Sequence, residues 1–241
     1  MMKFHEFVVK VQNLRVFTRE QLKCQFTCSS HQLNQDIHRW IKAGKLRSLR
    51  RGLYCISPAF RGPALHPLEA AQQLHPSSYI SLTTALEYHK VLDWNRIHDR
   101  YNLLRSLPEP GVITSITSRK TLRLQNFLGA YYYHHSKPEL YWGYQTQPVA
   151  PGIHSNIADS HKALIDLWYF YPAVWSSRIY RLLKLDPEPI DTQTLQACLH
   201  TPHTPARMQA SLFYWIRYSC EEQGIPWKPH RAPPWLKISE E

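Results

Sequence analysis

Apolar residues spaced three and four apart predict helices at the start of the chain. Residues 2–12 place apolar side chains along one helical face, at Phe4, Phe7, Val8 and Val11. A short extended piece, residues 15–17, separates this helix from a second one that runs to Phe26. Thr18 with Gln21 three residues later has the form of a capping box, which marks where the second helix begins.

The third predicted helix covers residues 30–43. Ser29 and Gln32 repeat the capping signature at its start, and Gly44 supplies the left-handed stop at its end. Its apolar residues share one face and are Leu33, Ile37, Trp40 and Ile41. The opposite face is polar, so this helix has one face for a core and one for solvent or a partner.

A β-hairpin is predicted directly after the third helix. Residues 45–49 and 53–57 are β-prone, and the link Arg50-Arg51-Gly52 between them carries glycine where a hairpin loop needs a positive φ. Three helices followed by a basic hairpin predict a winged helix-turn-helix domain, with the hairpin as its wing. Prolines and a glycine at positions 58, 62, 63 and 67 place the end of this domain near residue 62.

The remainder of the chain mixes both periodicities and predicts a larger α/β domain over residues 63–224. Predicted strands cover 112–117, 130–133 and 141–144, and predicted helices cover 68–74, 81–90, 162–171, 174–185, 191–200 and 204–222. In the last helix, Thr204 is the expected cap and Pro205 the first helical residue. Residues 225–241 carry four prolines and predict an irregular or disordered tail. The predicted fold class is α+β, with two domains and a tail.

Basic residues are concentrated at the N-terminus. The chain carries 29 lysines and arginines and 18 acids, a net charge of +11. Residues 1–62 hold twelve of these bases and three of the acids, which is +9 and leaves +2 for the other 179 residues. A cationic domain of this kind indicates an anionic partner, and nucleic acid suits a helix with a wing. We expect the N-terminal domain to meet that partner.

The solvent face of the third helix and the hairpin carry residue types that contact DNA. Asparagine and glutamine form paired hydrogen bonds with adenine in the major groove, while arginine, lysine and a helix N-terminus favour phosphate. The candidate DNA-binding residues are Ser29, Ser30, His31, Gln32, Asn34, Gln35, His38, Arg39 and Lys42 on the helix, and Lys45, Arg47, Arg50 and Arg51 on the hairpin. For any one of them an ordinary solvated face is the alternative. RNA is the alternative partner, although the signatures of a stacking sheet and of a Gly-x-x-Gly clamp are missing.

Motifs for metal-dependent or nucleophilic chemistry are missing from the sequence. Cys24, Cys28, His31 and His38 lie close together, but their spacing is poor for zinc and no second cysteine pair answers them. Asp186-Pro187-Glu188 is the only acid-x-acid triplet, and no Gly-Ser dipeptide, phosphate loop or Gly-x-Ser-x-Gly elbow occurs. We therefore expect no catalytic residue, no metal and no cofactor.

The cysteine content and the hydropathy of the chain indicate the cellular compartment in which it is expected. Five scattered cysteines are not a disulfide framework, and we expect reduced, mostly buried thiols. Because no apolar leader and no apolar run of membrane length occurs, we expect a cytoplasmic protein without a membrane partner.

Several segments resemble those of one known family, in the family's order. They are the hairpin from Gly44-Lys45-Leu46 to Arg51-Gly52-Leu53-Tyr54, Tyr79-Ile80-Ser81-Leu82 with Ala85-Leu86 and His89, Tyr141-Trp142-Gly143-Tyr144, and Lys162-Ala163-Leu164-Ile165-Asp166. Over about residues 1–185 the chain is thereby similar to the AbiEi-type antitoxins of type IV toxin-antitoxin systems, which are also abortive-infection regulators. It departs from them at His161, where glutamate is usual, and at Lys90, where glycine commonly follows the histidine.

The resemblance implies a transcriptional repressor that binds its own operator, with inverted repeats, through the winged helix. It also implies a second domain similar in fold to nucleotidyl transferases but inactive, which counters a nucleotidyl transferase toxin encoded next door and so serves phage defence. Without the resemblance, Lys162 and Asp166 predict an internal ion pair four residues apart on a helix. Two alternatives stay open: a nuclease with a winged-helix targeting domain, and a stand-alone regulator without a toxin.

Overall fold

The computed structural model of the chain describes residues 3–60, 64–97, 107–172, 175–199 and 205–227. The structure is mixed α+β, as predicted. Within these ranges, no helix is both long and apolar enough to cross a membrane. The predicted domain boundary near residue 62 and most of the predicted tail lie outside the described residues.

The N-terminal part forms helices and strands in the predicted order. Their bounds are α1 Phe4–Val11, β1 Phe17–Thr18, α2 Arg19–Gln25, α3 Ser30–Lys42, β2 Leu46–Arg50 and β3 Leu53–Ile56. The capping box before α2 is confirmed, because Thr18 and Gln21 each accept a hydrogen bond from the other's backbone amide. Before α3, Ser29 accepts from the amide of Gln32 at 3.2 Å, but the Gln32 side chain donates to Asp36 instead of closing the box.

Strands β1, β3 and β2 form an antiparallel sheet in that order. Strand β2 ends at Arg50 rather than at residue 49, so the turn consists of Arg51 and Gly52, and Gly52 takes the expected positive φ of 80°. The register is irregular between Ser48 and Arg50, which accommodates the extra residue. Gly44 has a φ of 68° and follows α3 as predicted.

The larger part contains a mixed sheet in the order β6-β7-β5-β4-β9-β8. The pairs β4·β9 and β5·β7 are parallel, and the other neighbours are antiparallel. The strands are β4 Ser78–Ile80, β5 Ile113–Thr117, β6 Leu122–Asn126, β7 Gly129–His135, β8 Tyr144–Ala150 and β9 Ile153–Ala158. Strands β4, β6, β8 and β9 have no counterpart in the prediction, because β4 is very short and polar residues or Pro148 interrupt the apolar alternation of the others.

The strand prediction for residues 141–144 was wrong. Only Tyr144 belongs to a strand, and residues 141–143 follow a 3-10 helix, Pro138–Leu140. Gly143 has a φ of 72°, and a Cβ there would lie 2.9 Å from Cγ of Lys162. Glycine therefore serves both the backbone conformation and the packing of Lys162 at this position.

The helices of the larger part are α4 Pro67–Leu74, α5 Leu82–Tyr88, α6 Ser160–Phe170, α7 Ser177–Leu182, α8 Thr192–Leu199 and α9 Ala206–Glu222. Helix α6 is buried over most of its length, as its apolar sequence predicts. At α9 the prediction was one position off, because Pro205 is the N-cap residue rather than the first helical residue. The expected cap, Thr204, and the predicted start of α7 at residue 174 lie outside the described residues.

The hairpin formed by β2 and β3 contributes to two hydrophobic cores. The N-terminal core contains Phe7, Val11, Phe17, Leu22, Phe26, Leu33, Ile37, Trp40, Leu46 and Ile56. The large core is built on the six-stranded sheet with α4, α5 and α6, and it includes Leu49, Leu53 and Cys55 from the hairpin. Because neighbouring residues of a strand point to opposite faces, β3 packs Ile56 into one core and Cys55 into the other.

Polar contacts also fasten the N-terminal part to the larger part. Both carboxylate oxygens of Glu69 in α4 bind the Arg15 guanidinium, at 2.5 and 2.9 Å. The Asn126 amide at the end of β6 donates to the carbonyl of Leu49 at 3.2 Å. The position of the hairpin thus depends on contacts with the larger part as well as on the N-terminal core.

Candidate nucleic-acid interface

Helix α3 presents a polar stripe opposite the N-terminal core. Leu33, Ile37 and Trp40 are buried on one side. Residues on the other side are exposed and recur at intervals of three and four; we call them the α3 stripe, and they are His31, Asn34, Gln35, His38 and Lys42. The stripe contains no acid, and Ser29 and Ser30 at its N-terminal end are also exposed.

Two predicted groove residues, Gln32 and Arg39, are held by a buried carboxylate. Asp36 is fully buried, and its oxygens lie 3.2 Å from Nε2 of Gln32 and 2.7 Å from Nη2 of Arg39. Both partners are half-buried at the flank of α3, and part of their hydrogen-bonding capacity is used within the helix. Asp36 was not among the predicted residues, although a residue four after Gln32 and three before Arg39 is a neighbour of both on a helix surface.

Within the α3 stripe, His31 and Gln35 interact with each other. The Gln35 amide nitrogen lies 2.9 Å from Nε2 of the His31 ring. Because the amide NH₂ is a donor, the ring nitrogen accepts this bond. The pair therefore fixes the orientation of the Gln35 amide on the exposed face.

Two basic residues of the hairpin lie over aromatic rings. Nζ of Lys45 is 5.0 Å from the centre of the Phe4 ring, and Cζ of Arg47 is 4.8 Å from the centre of the Phe127 ring. Phe127 belongs to the larger part, in the turn between β6 and β7, and it is 39% exposed. Phe127 was not among the predicted residues, because no local signal links residues 80 positions apart.

Arg50 and Arg51 were predicted together as phosphate contacts, but their surroundings differ. Nε of Arg50 donates to the carbonyl of Leu74 at 3.2 Å, and Nη1 donates to the carbonyl of Arg51 at 3.3 Å. Arg50 therefore lies against the end of α4. Arg51 is exposed in the turn, beside Gly52. The hairpin offers Arg51 at its tip and Arg47 on its edge strand, while Arg50 helps to hold the hairpin in place.

The charge of the larger part is unevenly distributed. Between residues 110 and 138 the chain has no acid and four bases, which are Arg119, Lys120, Arg123 and Lys137. The rest of residues 63–241 carries 13 bases and 15 acids. Although the net charge of the larger part is nearly zero, its basic residues include a block over β5, β6 and β7. This block adjoins the hairpin at Asn126 and Phe127.

A buried cluster of Tyr79, Ser81, Lys162 and Asp166 joins the segments on which the family resemblance rests. Nζ of Lys162 and Oδ1 of Asp166 are 2.6 Å apart, with 1% and 2% of the side chains exposed, which confirms the predicted internal ion pair. The hydroxyls of Tyr79 and Ser81 donate to Oδ2 of Asp166 at 3.1 and 2.7 Å. Burial raises the pKa of Asp166, against the opposing effects of the Lys162 charge and these hydrogen bonds.

Leu140 and Trp142, which precede Gly143, complete the surroundings of Lys162. The Lys162 ammonium group donates to the carbonyl of Leu140 at 2.7 Å and lies 4.7 Å from the centre of the Trp142 ring. A lysine that is shielded from water in this way has its hydrogen bonds satisfied by the fold. The geometry is that of a structural ion pair.

The expectation of mostly buried thiols was wrong. Only Cys55 is buried, Cys24 is exposed, and the other three cysteines are half-buried; all five are free. Cys24 is exposed because it lies on the outer side of the short helix α2, whose buried residue is Leu22. In the part of the chain that the structure describes, no three His, Cys, Asp or Glu side chains gather as a group able to hold a metal ion.

The acid-x-acid triplet lines a polar cavity of about 690 Å³ in the larger part. Charges of both signs surround this cavity, from Arg96, Arg181 and Lys184 and from Asp186, Glu188 and Glu222. The Asp186 carboxylate accepts from the amide of Glu188 at 3.0 Å, so it stabilises the loop between α7 and α8.

Comparison of the chain with models of known protein families and with curated proteins yields no match.

Proposed function

We propose that residues 1–62 form a winged helix-turn-helix domain that binds double-stranded DNA, and that the protein represses transcription from an operator. The observation that carries this proposal is that α3 presents an acid-free exposed stripe while the hairpin presents an exposed arginine in its turn. The element order α1-β1-α2-α3-β2-β3, with β1 paired to β3, supports it, because winged helices arrange their helices and wing in this way. The charge of +9 in these residues favours a polyanion.

In this proposal α3 enters the major groove. Asn34 and Gln35 read base edges, since their amides match adenine, and Lys42 binds a phosphate. Ser29 and Ser30 lie near the backbone at the helix N-terminus, where unpaired amides favour phosphate. Arg51 at the tip of the hairpin binds the flanking phosphates. Gln32 and Arg39, whose side chains bind Asp36, lie at the flank of the helix and help to orient α3 on the DNA.

The antitoxin part of the proposal rests on the resemblance. Segments that are about 80 residues apart in sequence, around Tyr79 and around Lys162, converge on the buried cluster. Lys90 stands where the family commonly has glycine, and its φ of 62° is in the left-handed region that glycine favours. Both observations support a family-like second domain, which we propose is an inactive nucleotidyl transferase-like fold that counters a toxin of that class.

Selection from a pool of random duplexes tests the repressor proposal. The wild-type chain is expected to enrich one sequence, and Gln35→Ala is expected to relax the preference at one position, at a cost of about 1 to 3 kcal/mol for the preferred base. Lys42→Ala is the control, because loss of a phosphate contact weakens all duplexes alike. Equal losses on enriched and random duplexes for Gln35→Ala would contradict base reading by α3.

Two simple assays distinguish the proposed function from its alternatives, a nuclease and a stand-alone regulator. A nuclease would cleave plasmid DNA in the presence of magnesium or manganese, and the Asp186→Asn variant would lose that cleavage. We expect intact plasmid. A stand-alone regulator would fail to restore growth to cells that express a neighbouring nucleotidyl transferase-like toxin, whereas an antitoxin restores it.

A further inference from the structure

We propose that Phe127 of the larger part is a positioning residue for DNA binding, because its ring holds the Arg47 guanidinium in place for a phosphate. The inference rests on the proposed function, since it concerns how the same hairpin meets DNA. It assigns the larger part a role in the interface without requiring that any of its groups touch DNA.

The contact between the two residues is well defined. The Arg47 guanidinium lies over the Phe127 ring with 4.8 Å between Cζ and the ring centre. The next residue back, Asn126, donates its amide to the carbonyl of Leu49, two positions after Arg47 on the same strand. Asn126 also accepts from the amide of Leu128 at 2.8 Å, which shapes the turn that carries the ring. The ring and the strand that bears Arg47 are therefore fixed relative to each other.

Stacking on a ring suits a guanidinium that must bind phosphate. Arginine stacks through the face of its planar group, so the N–H donors along its edge stay available for a second partner. Arg47 is exposed on β2, and β2 is one of the two edge strands of its sheet. A free arginine side chain would lose much of its rotational freedom on meeting a phosphate, whereas a stacked one has already lost part of it.

The charges near Phe127 are compatible with this role. No acid occurs between residues 110 and 138, so this stretch supplies no carboxylate to compete for the guanidinium or to repel a phosphate.

A double-mutant cycle with a duplex of defined sequence tests the proposal. Phe127→Ala is expected to weaken binding about two- to fivefold, the range of an exposed cation–π contact. Phe127→Trp is expected to bind like the wild type. In the Arg47→Ala background, Phe127→Ala is expected to have no further effect, because the guanidinium that the ring positions is gone. A purely structural role of Phe127 would give additive losses and no rescue by tryptophan.

The control is Leu122→Ala, which removes a 38% exposed apolar side chain from the same pair of strands. It is expected to leave affinity unchanged. Additive losses in the cycle, an unchanged affinity, or tighter binding by Phe127→Ala would overturn the inference while leaving the proposed function intact. A wild-type chain that binds no duplex would contradict both.

Discussion

The buried ion pair in α6 shows how burial changes the energetics of one pair of charges. Lys162 and Asp166 are four residues apart on a helix and nearly inaccessible to water. Removing one partner leaves the other charged or unpaired in a medium that solvates it poorly. Asp166→Ala is therefore expected to lower the free energy of unfolding by about 3 to 5 kcal/mol, measured by urea denaturation.

The chain provides a matched control for this prediction. Arg217 and Glu221 are also four residues apart on a helix, but about a third of each side chain is exposed. Arg217→Gln is expected to change the free energy of unfolding by less than about 1 kcal/mol. Equal losses for the two variants would mean that burial is not the source of the effect.

His134 gives the stability a dependence on pH. Burial lowers its pKa from 6.5 to about 4, and the Arg123 charge lowers it as well, so the folded chain favours the neutral ring. As the pH falls from 6.5 to 4, the unfolded chain takes up a proton at this residue and the folded chain does not. This difference removes up to about 3 kcal/mol of stability over that interval, and the contribution is complete above pH 6.5.

Urea unfolding between pH 4 and pH 7 measures this contribution. His134→Phe is expected to flatten the loss of stability toward pH 4, because the titrating group is removed from both states. His135 is the neighbouring residue and is exposed, so His135→Gln is expected to keep the pH dependence of the wild type. An unchanged slope in His134→Phe would rule out His134 as its source.

At the scale of elements, the caps of α3 stabilise the helix that carries the candidate interface. Ser29 accepts a hydrogen bond from the amide of Gln32, one of the amides that a helix start leaves unpaired. Ser29→Ala is expected to lower the free energy of unfolding by about 1 kcal/mol. Ser30→Ala, one residue further along, is expected to stay within about 0.5 kcal/mol of the wild type. Thermal unfolding in the absence of DNA checks both.

Local signals predicted the elements whose cause is local. The Thr18 and Gln21 capping box, Gly44 after α3 and the apolar face of Leu33, Ile37 and Trp40 each depend on neighbours within a few residues, and each prediction was confirmed. Strands β6 and β8 pair with the adjacent strands β7 and β9 across two-residue turns, yet β6, β8 and β9 were not predicted, because polar residues and Pro148 interrupt their apolar alternation. Residues 141–143 have a β-prone composition, yet Gly143 takes a φ of 72° and packs closely on Lys162.

The residues of the candidate site likewise fall into those that the local sequence predicts and those that it does not. The α3 stripe follows from helical periodicity, and all of its residues were predicted from the sequence. The separation of Arg50 from Arg51, and the contact of Arg47 with Phe127, depend on where the larger part docks. No spacing in the sequence carries that information.

At the scale of the whole molecule, the hairpin couples the two parts. Leu46 and Ile56 lie in the N-terminal core, while Leu49 and Leu53 lie in the large core. Because one hairpin is shared, loss of either core exposes apolar surface of the other. We expect a single cooperative unfolding transition, with coincident curves from circular dichroism and tryptophan fluorescence. Two separated transitions would mean that the N-terminal part folds independently of the larger part.

The most direct test of the central claim is the salt dependence of binding to duplex DNA. The wild-type chain is expected to lose affinity linearly in log affinity against log salt, and the double variant Lys42→Ala, Arg51→Ala is expected to reduce that slope by about 2, close to 0.9 for each lost phosphate contact. The control replaces Arg96 and Arg178, two exposed arginines of the larger part, and is expected to keep the wild-type slope. An unchanged slope in the first variant, or no binding of duplex by the wild type at low salt, would contradict the assignment of α3 and the hairpin tip as a DNA interface.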